Sequence, residues 1–67
     1  MPEELKITLE AARVNAHLTQ SEAAEKLGVS RSTIQSWESG RTSPSVIQAN
    51  QISNVYRWPK DAIFFGK

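Results

Sequence analysis

Residues 20–39 read Q-S-E-A-A-E-K-L-G-V-S-R-S-T-I-Q-S-W-E-S, and the glycine in that run divides it into two short helices. Ala23, Ala24 and Leu27 fall at i, i+1 and i+4, which places them on one helical face. Gly28 follows directly, where a helix C-terminus calls for a residue that accepts the left-handed conformation. Val29 is an apolar plug in the turn, and the hydroxyl of Ser30 is positioned to cap the next helix. Ile34 and Trp37 are three apart and face the first helix, whereas Arg31, Ser32, Gln35 and Ser36 fall largely on the opposite side. The second helix thus has an apolar back and a front of guanidinium, amide and hydroxyl groups. Those groups match the base edges exposed in a DNA major groove.

Helix, glycine turn and polar-fronted helix together make the layout of a helix-turn-helix. Extended to its flanks, residues 19–45 read T-Q-S-E-A-A-E-K-L-G-V-S-R-S-T-I-Q-S-W-E-S-G-R-T-S-P-S. This stretch resembles the phage-repressor and Cro-type (Xre-like) helix-turn-helix family. Gln20, Ala24, Gly28, Val29, Ile34, Glu38, Gly40 and Pro44 all fall in that family's register, and the likeness runs from about Leu9 to Phe64. Two helices of any small bundle would explain Gly28 as an ordinary cap, but would not require Gln20, Glu38 and Pro44 at these offsets. The resemblance implies an all-α, lambda-repressor-like domain of five short helices occupying residues 1–67. It also implies an ion pair between Arg13 and Glu38, the alternative being a solvated arginine. Arg57 departs from the pattern, since the family usually has Gly or Asn near that position.

Charge divides unevenly along the chain. The net charge is +1. Residues 1–25 hold Glu3, Glu4, Glu10, Glu22 and Glu25 against Lys6 and Arg13, a balance of −3. Residues 26–60 hold Lys26, Arg31, Arg41, Arg57 and Lys60 against Glu38, a balance of +4. The positive excess lies across the second helix and the residues C-terminal to it, a modest footprint for a polyanionic partner. So few cations imply weak binding by one copy, and hence a homodimer or short cooperative array.

Sixty-seven residues make one small domain near the lower limit for a self-supporting core. No cysteine and one histidine exclude a disulfide framework or a Cys/His zinc site within the chain. The start M-P-E-E-L-K lacks the pattern of a signal peptide, and no apolar run is long enough to span a bilayer. A soluble, cytoplasmic and nucleoid-associated protein is expected, with no metal, cofactor, membrane or small-molecule partner.

In chain order, residues 1–4 are expected to be loose and Leu5 to Ala16 to form the first helix, with Leu5, Leu9, Ala12 and Ala16 inward. His17 is a turn residue without assigned chemistry. Thr19 and Glu22 have the spacing of a capping box. Gln20, in the first helical turn, suits a backbone phosphate contact, or else is structural. Arg41 to Ser43 form a polar loop in which Arg41, Thr42 and backbone amides suit phosphate, unless Arg41 is merely exposed. Thr33 adds a methyl contact or a phosphate bond. Pro44 or Ser45 opens a fourth helix with Val46, Ala49, Ile52 and Tyr56 as its buried stripe and Val55 alongside. Gln48, Asn50, Gln51 and Asn54 form a solvated face. Arg57-Trp58-Pro59 ends that helix, and Lys60 to Phe65 is expected as a fifth. The core is expected to contain Leu9, Leu18, Ala24, Leu27, Val29, Ile34, Trp37, Val46, Ile52, Ile63 and Phe64. Trp58 and Phe65 either seal the bundle or form a dimer or partner patch.

Three function classes compete. A sequence-specific regulator would occupy a double-stranded DNA operator, with Arg31, Ser32, Gln35 and Ser36 at the bases. The resemblance points to phage or prophage repressor or Cro-like control. An interaction module, antirepressor or antitoxin, would use the same fold on a protein partner, but has no physical need for those four side chains together. An enzyme is not expected, because no nucleophile–base–acid set and no phosphate-binding glycine loop is present.

Overall fold

Hydroxyl groups set where the helices start. The side-chain oxygens of Thr8, Thr19, Ser30 and Ser45 each accept from the backbone amide three residues on. Each thereby satisfies one of the amide donors that a helix start leaves unpaired. Two of these are full capping boxes: Glu22 returns to the Thr19 amide at 2.9 Å and Gln48 to the Ser45 amide at 2.8 Å. The computed structural model describes residues 6–65, apart from the side chain of Phe64. Strand β1 (Ile7–Thr8) leads into α1 (Leu9–Asn15), α2 (Gln20–Leu27), α3 (Arg31–Ser39) and α4 (Val46–Tyr56). A 3-10 turn (Lys60–Ala62) and strand β2 (Ile63–Phe64) complete the described chain.

The architecture is the helical one expected, with four α-helices rather than five among the described residues. In place of the fifth stand the 3-10 turn and β2, which pairs parallel with β1, Ile7 opposite Ile63 and Thr8 opposite Phe64. Six residues give too few hydrogen bonds to offset helix nucleation, and β-branched or aromatic side chains favour an extended chain. The same pairing shortens α1. Ile7 and Thr8 are extended, so the helix begins at Leu9 rather than at Leu5. The expectations for residues 1–4 and Leu5, and for the side chain of Phe64 in the core, lie outside the described residues.

Leu9, Ala12, Ala23, Ala24, Ile34, Trp37, Ala49, Ile52, Tyr56 and Ile63 form the buried core. Leu18, Leu27, Val29, Val55, Trp58 and Phe65 are half-buried against it. Alanines at four of the core positions let the helices approach closely. Val46 corrects the expected stripe, being 74 % exposed, with its neighbour Ile47 at 70 %. Ser45 is the N-cap, so Val46 and Ile47 form the first turn of α4, and Val46 edges an open groove beside Ala49, Ile63 and Phe65 instead of being covered. Gln48 is not merely solvated, since it closes the capping box. Trp58 closes the far end of α4: its Nε1 donates to the Ala62 carbonyl at 3.2 Å, and the Ser53 hydroxyl donates to its carbonyl at 2.8 Å. Among the described residues no helix is long and apolar enough to cross a membrane.

Helix ends obey the complementary rule. Gly28 (φ 71), Gly40 (φ 81) and Arg57 (φ 56) are the left-handed C-caps of α2, α3 and α4. At Gly28 an added Cβ would meet nothing within 4 Å, so the backbone angle and not space requires glycine there.

Removing the side chain of Ile34 or Trp37 by alanine substitution should cost about 2–5 kcal/mol, measured by denaturant unfolding. Tyr56, the one tyrosine of the chain, offers a spectroscopic check. Burial pushes its pKa up to about 12 from 10.0; the Glu38 charge adds to the rise and Arg13 opposes it. The folded state thus favours the neutral phenol. Its contribution to stability is complete below about pH 10 and is lost as pH rises toward 12. Tyrosinate absorbance should therefore appear only near the alkaline unfolding transition, and titration at the ordinary phenol value in the folded protein would contradict this burial.

Candidate nucleic-acid interface

Positioning of α3 begins at the turn. The Val29 amide donates to the Ala24 carbonyl at 3.0 Å and the Gly28 amide to Glu25 at 3.3 Å, which fixes the direction in which the chain leaves α2. Ser30 then starts α3, with Ile34 and Trp37 buried on its inner side. The outer side carries Arg31, Ser32 and Gln35 exposed, with Thr33 and Ser36 half-buried beside them. The four expected base-reading residues therefore share one helix, with three of them open to solvent. Their hydroxyls are partly engaged. Ser30 Oγ lies 3.0 Å from Ser32 Oγ and 3.0 Å from Thr33 Oγ1.

The loop after α3 differs from expectation in one respect. The amides of Arg41 and Thr42 both donate to the Ser36 carbonyl, at 3.0 and 3.3 Å. They cap α3 and are not free for phosphate, so the exposed side chains of Arg41 and Thr42 are left for that task, beside exposed Ser43.

Behind this face lies an ion pair. Arg13 Nε donates to Glu38 Oε2 at 2.6 Å and Nη2 to Oε1 at 3.3 Å, while Nη1 donates to the Leu18 carbonyl at 2.9 Å. The two side chains are only 10 % and 7 % exposed. The hydrogen bond to Glu38 raises the Arg13 pKa against the opposing effect of burial, so the guanidinium stays charged. One side chain thereby ties α1, the α1–α2 loop and α3 together.

Two further bonds lie beyond the sequence expectation. Gln20 Nε2 donates to Glu38 Oε1 at 3.0 Å, and Gln35 Nε2 donates to Gln20 Oε1 at 3.3 Å. Gln35 and Glu38 stand three apart on α3 and so share a face. That spacing is the signal by which the contact could have been sought. For Gln20, a phosphate contact is left to its backbone amide in the first turn of α2 and to its second side-chain N–H.

The cations of residues 26–60 do not form one patch. Arg31 and Arg41 flank α3, while Lys26 and Arg57 border a hollow at the C-terminal ends of α1, α2 and α4, together with Asn15, His17 and Asn54. Lys60 borders a separate groove with Val46, Ile63 and Phe65. The excess read along the sequence therefore leaves α3 with two exposed arginines.

The chain matches a helix-turn-helix family model over residues 9–61. It is 53 % identical over 38 residues to an uncharacterised HTH-type transcriptional regulator of Methanothermobacter thermautotrophicus, covering 57 % of this chain and 55 % of that protein. It is 36 % identical over 64 residues to the type II methyltransferase M1.ScrFI of Lactococcus lactis subsp. cremoris, covering 91 % of this chain and 16 % of the methyltransferase. The chain thus spans a sixth to about half the length of these relatives. No solved structure gives a match.

A double-mutant cycle on the ion pair should show strong coupling. Arg13→Met or Glu38→Ala alone strands a buried charge and should destabilise by about 3–5 kcal/mol, while the double variant should lose less than the sum. Strict additivity would mean that the contact carries no energy.

Proposed function

The chain belongs to the helix-turn-helix family, and we propose that it is a sequence-specific regulator of transcription that binds double-stranded DNA with α3 in the major groove. The observation that carries this is the outer side of α3, where Arg31, Ser32 and Gln35 stand exposed opposite the buried Ile34 and Trp37. A rigid helix with this front fits the width of a major groove. Arg31 donates a bidentate pair to guanine and Gln35 pairs with adenine, with Ser32 and Ser36 adjacent. Phosphate contacts come from Thr33, Arg41, Thr42 and the first turn of α2 at Gln20, which set register and read no base directly.

The regulator acts by occupying an operator, in the manner of a phage or prophage repressor or Cro-type protein, in the cytoplasm and on the nucleoid. No catalytic step, metal or cofactor enters this mechanism. Two exposed arginines at α3 give a single copy little grip, so the binding unit is a homodimer on half-sites ~34 Å apart. The molecule extends 32 Å along its longest axis, which lets copies on adjacent half-sites meet. The groove edged by Val46, Ile63 and Phe65 supplies apolar surface for that meeting. Val46 and Ile47, both exposed, also favour the second reading, in which a protein partner covers this surface, as for an antirepressor or antitoxin.

Alanine at Arg31 or Gln35 should weaken binding to the selected operator by about 1–3 kcal/mol and relax preference at one base position. Alanine at Arg41 should weaken all sequences alike and make the salt slope shallower by about one unit. Retention of full operator preference by the Arg31 and Gln35 variants, in gel-shift titrations at several salt concentrations, would favour the protein-partner reading instead.

A further inference from the structure

We propose that Glu38 and Gln20 act as positioning residues that lock the amide of Gln35 in one of its two orientations, and so fix which base edge Gln35 accepts. The inference rests on the reading of α3 as the groove-binding helix. Its starting point is chemical: an ionised carboxylate only accepts hydrogen bonds. Glu38 Oε1, already held by Arg13, lies 3.0 Å from the Gln20 amide, so the Gln20 atom turned toward it is the NH₂ group. That leaves Gln20 Oε1 facing outward. Only a donor can meet it, and Gln35 Nε2 does so at 3.3 Å.

Polarity therefore passes from one charged group through two neutral amides: Arg13 donates to Glu38, Gln20 donates to Glu38, and Gln35 donates to Gln20. A glutamine amide has two N–H donors and one carbonyl oxygen. With one N–H engaged by Gln20, Gln35 keeps one N–H and Oε1 for DNA. Adenine presents N7 as acceptor and N6–H as donor in the major groove, which that remaining pair satisfies. An unrestrained amide would offer donor and acceptor in either order. Restraint gives it one order, and discrimination follows without any contact between Gln20 or Glu38 and a base.

The chain makes a test by polarity exchange available. In the double variant Gln20→Glu with Glu38→Gln, the Arg13 guanidinium donates to the new carboxamide oxygen at 38. The new amide donates to the carboxylate at 20, and Gln35 donates to that carboxylate as before. The bond between positions 20 and 38 reverses and the Arg13 Nη2 bond is given up, but Gln35 still donates to position 20, so the bond that orients it keeps its direction while the charge moves. In Gln20→Met the side chain keeps much of its volume and loses both polar atoms. Randomised duplexes would be selected with the intact chain, with Gln35→Ala, Gln20→Met and the double variant, and the recovered sequences compared position by position. Gln35→Ala identifies the position Gln35 reads. Gln20→Met should lose discrimination at that same position by about tenfold, and the double variant should keep it, even as the carboxylate near the phosphates weakens binding to all sequences.

Uniform weakening by Gln20→Met with preference intact would overturn the proposal, leaving Gln20 a phosphate contact alone. So would a double variant as relaxed as Gln20→Met. If Gln35→Ala itself changes no preference, the groove-reading assignment of Gln35 fails and the relay falls with it. If Gln35→Ala does and Gln20→Met does not, only the relay fails. Cooperative thermal unfolding checks that each variant folds, and should the double variant not fold, the comparison of Gln20→Met with Gln35→Ala decides.

Discussion

The carboxylate of Glu38 holds this small structure to its geometry. It sits near the end of α3, 7 % exposed, and accepts from a guanidinium on α1 and an amide on α2. Each of those helices is too short to be stable in isolation, so their relative placement has to come from tertiary contact. Apolar packing of the core, Ile34 and Trp37 included, is the main driving force, but it is non-directional and tolerant of small rotations. Hydrogen bonds to a buried carboxylate are not. A buried pair contributes little net stability against an apolar replacement of like volume, whereas removal of one member leaves a stranded charge. The physical weight of Glu38 therefore lies in the angle at which α2 and α3 meet, and through it in the orientation of the outer side of α3.

Much of that arrangement was legible in the residues themselves. Thr19 with Glu22 three residues on marks the start of α2, Ser30 that of α3, and Gly28 and Gly40 mark two of the ends, whereas Thr8 as the start of α1 was not read. The inner positions Ala24, Ile34, Trp37 and Ile52 follow from helical periodicity, because a 3.6-residue repeat has one consistent buried side. Periodicity is silent about where a helix stops having neighbours. Val46 continues the stripe of Ala49 and Ile52 yet is solvent-exposed, because among the described residues it meets an open groove rather than a covering element. Likewise the segment after Pro59 has the apolar content of a helix but too few residues to nucleate one, and a strand at the other end of the chain supplies a better partner. Long-range pairing of two dipeptides leaves almost no sequence signature.

The candidate site divides in the same way. Which residues lie on the outer side of α3 is set by spacing. Which of them restrain one another is not, because a bond such as Gln20 to Glu38 joins residues 18 apart in sequence. Arg57 is a further case: an arginine in the left-handed region bears a conformational cost that glycine avoids, and only the Gly or Asn usual near this position in the resembled family pointed to it. Charge is the opposite case, where a linear reading overstates the result. The positive excess of residues 26–60 is real, but folding sends Lys26 and Arg57 to the helix C-termini, where cations meet favourable dipoles, and leaves two arginines beside α3.

That distribution bears on how the proposed regulator would discriminate. Each cation that neutralises a phosphate contributes about 0.9 to the salt slope on duplex DNA, so Arg31 and Arg41 together give a single copy a slope of at most about 2. Arg31, engaged with a base, contributes less of it. Non-specific affinity is electrostatic in origin and must then be low. The ratio of specific to non-specific binding, which decides occupancy against a genome of competing sites, rises when the non-specific term is small. A sparsely charged reading face is thus compatible with selective binding, provided the base contacts are well oriented. The proposed amide relay from Glu38 to Gln35 would supply such orientation, and the proposed pairing of two copies the affinity that one lacks.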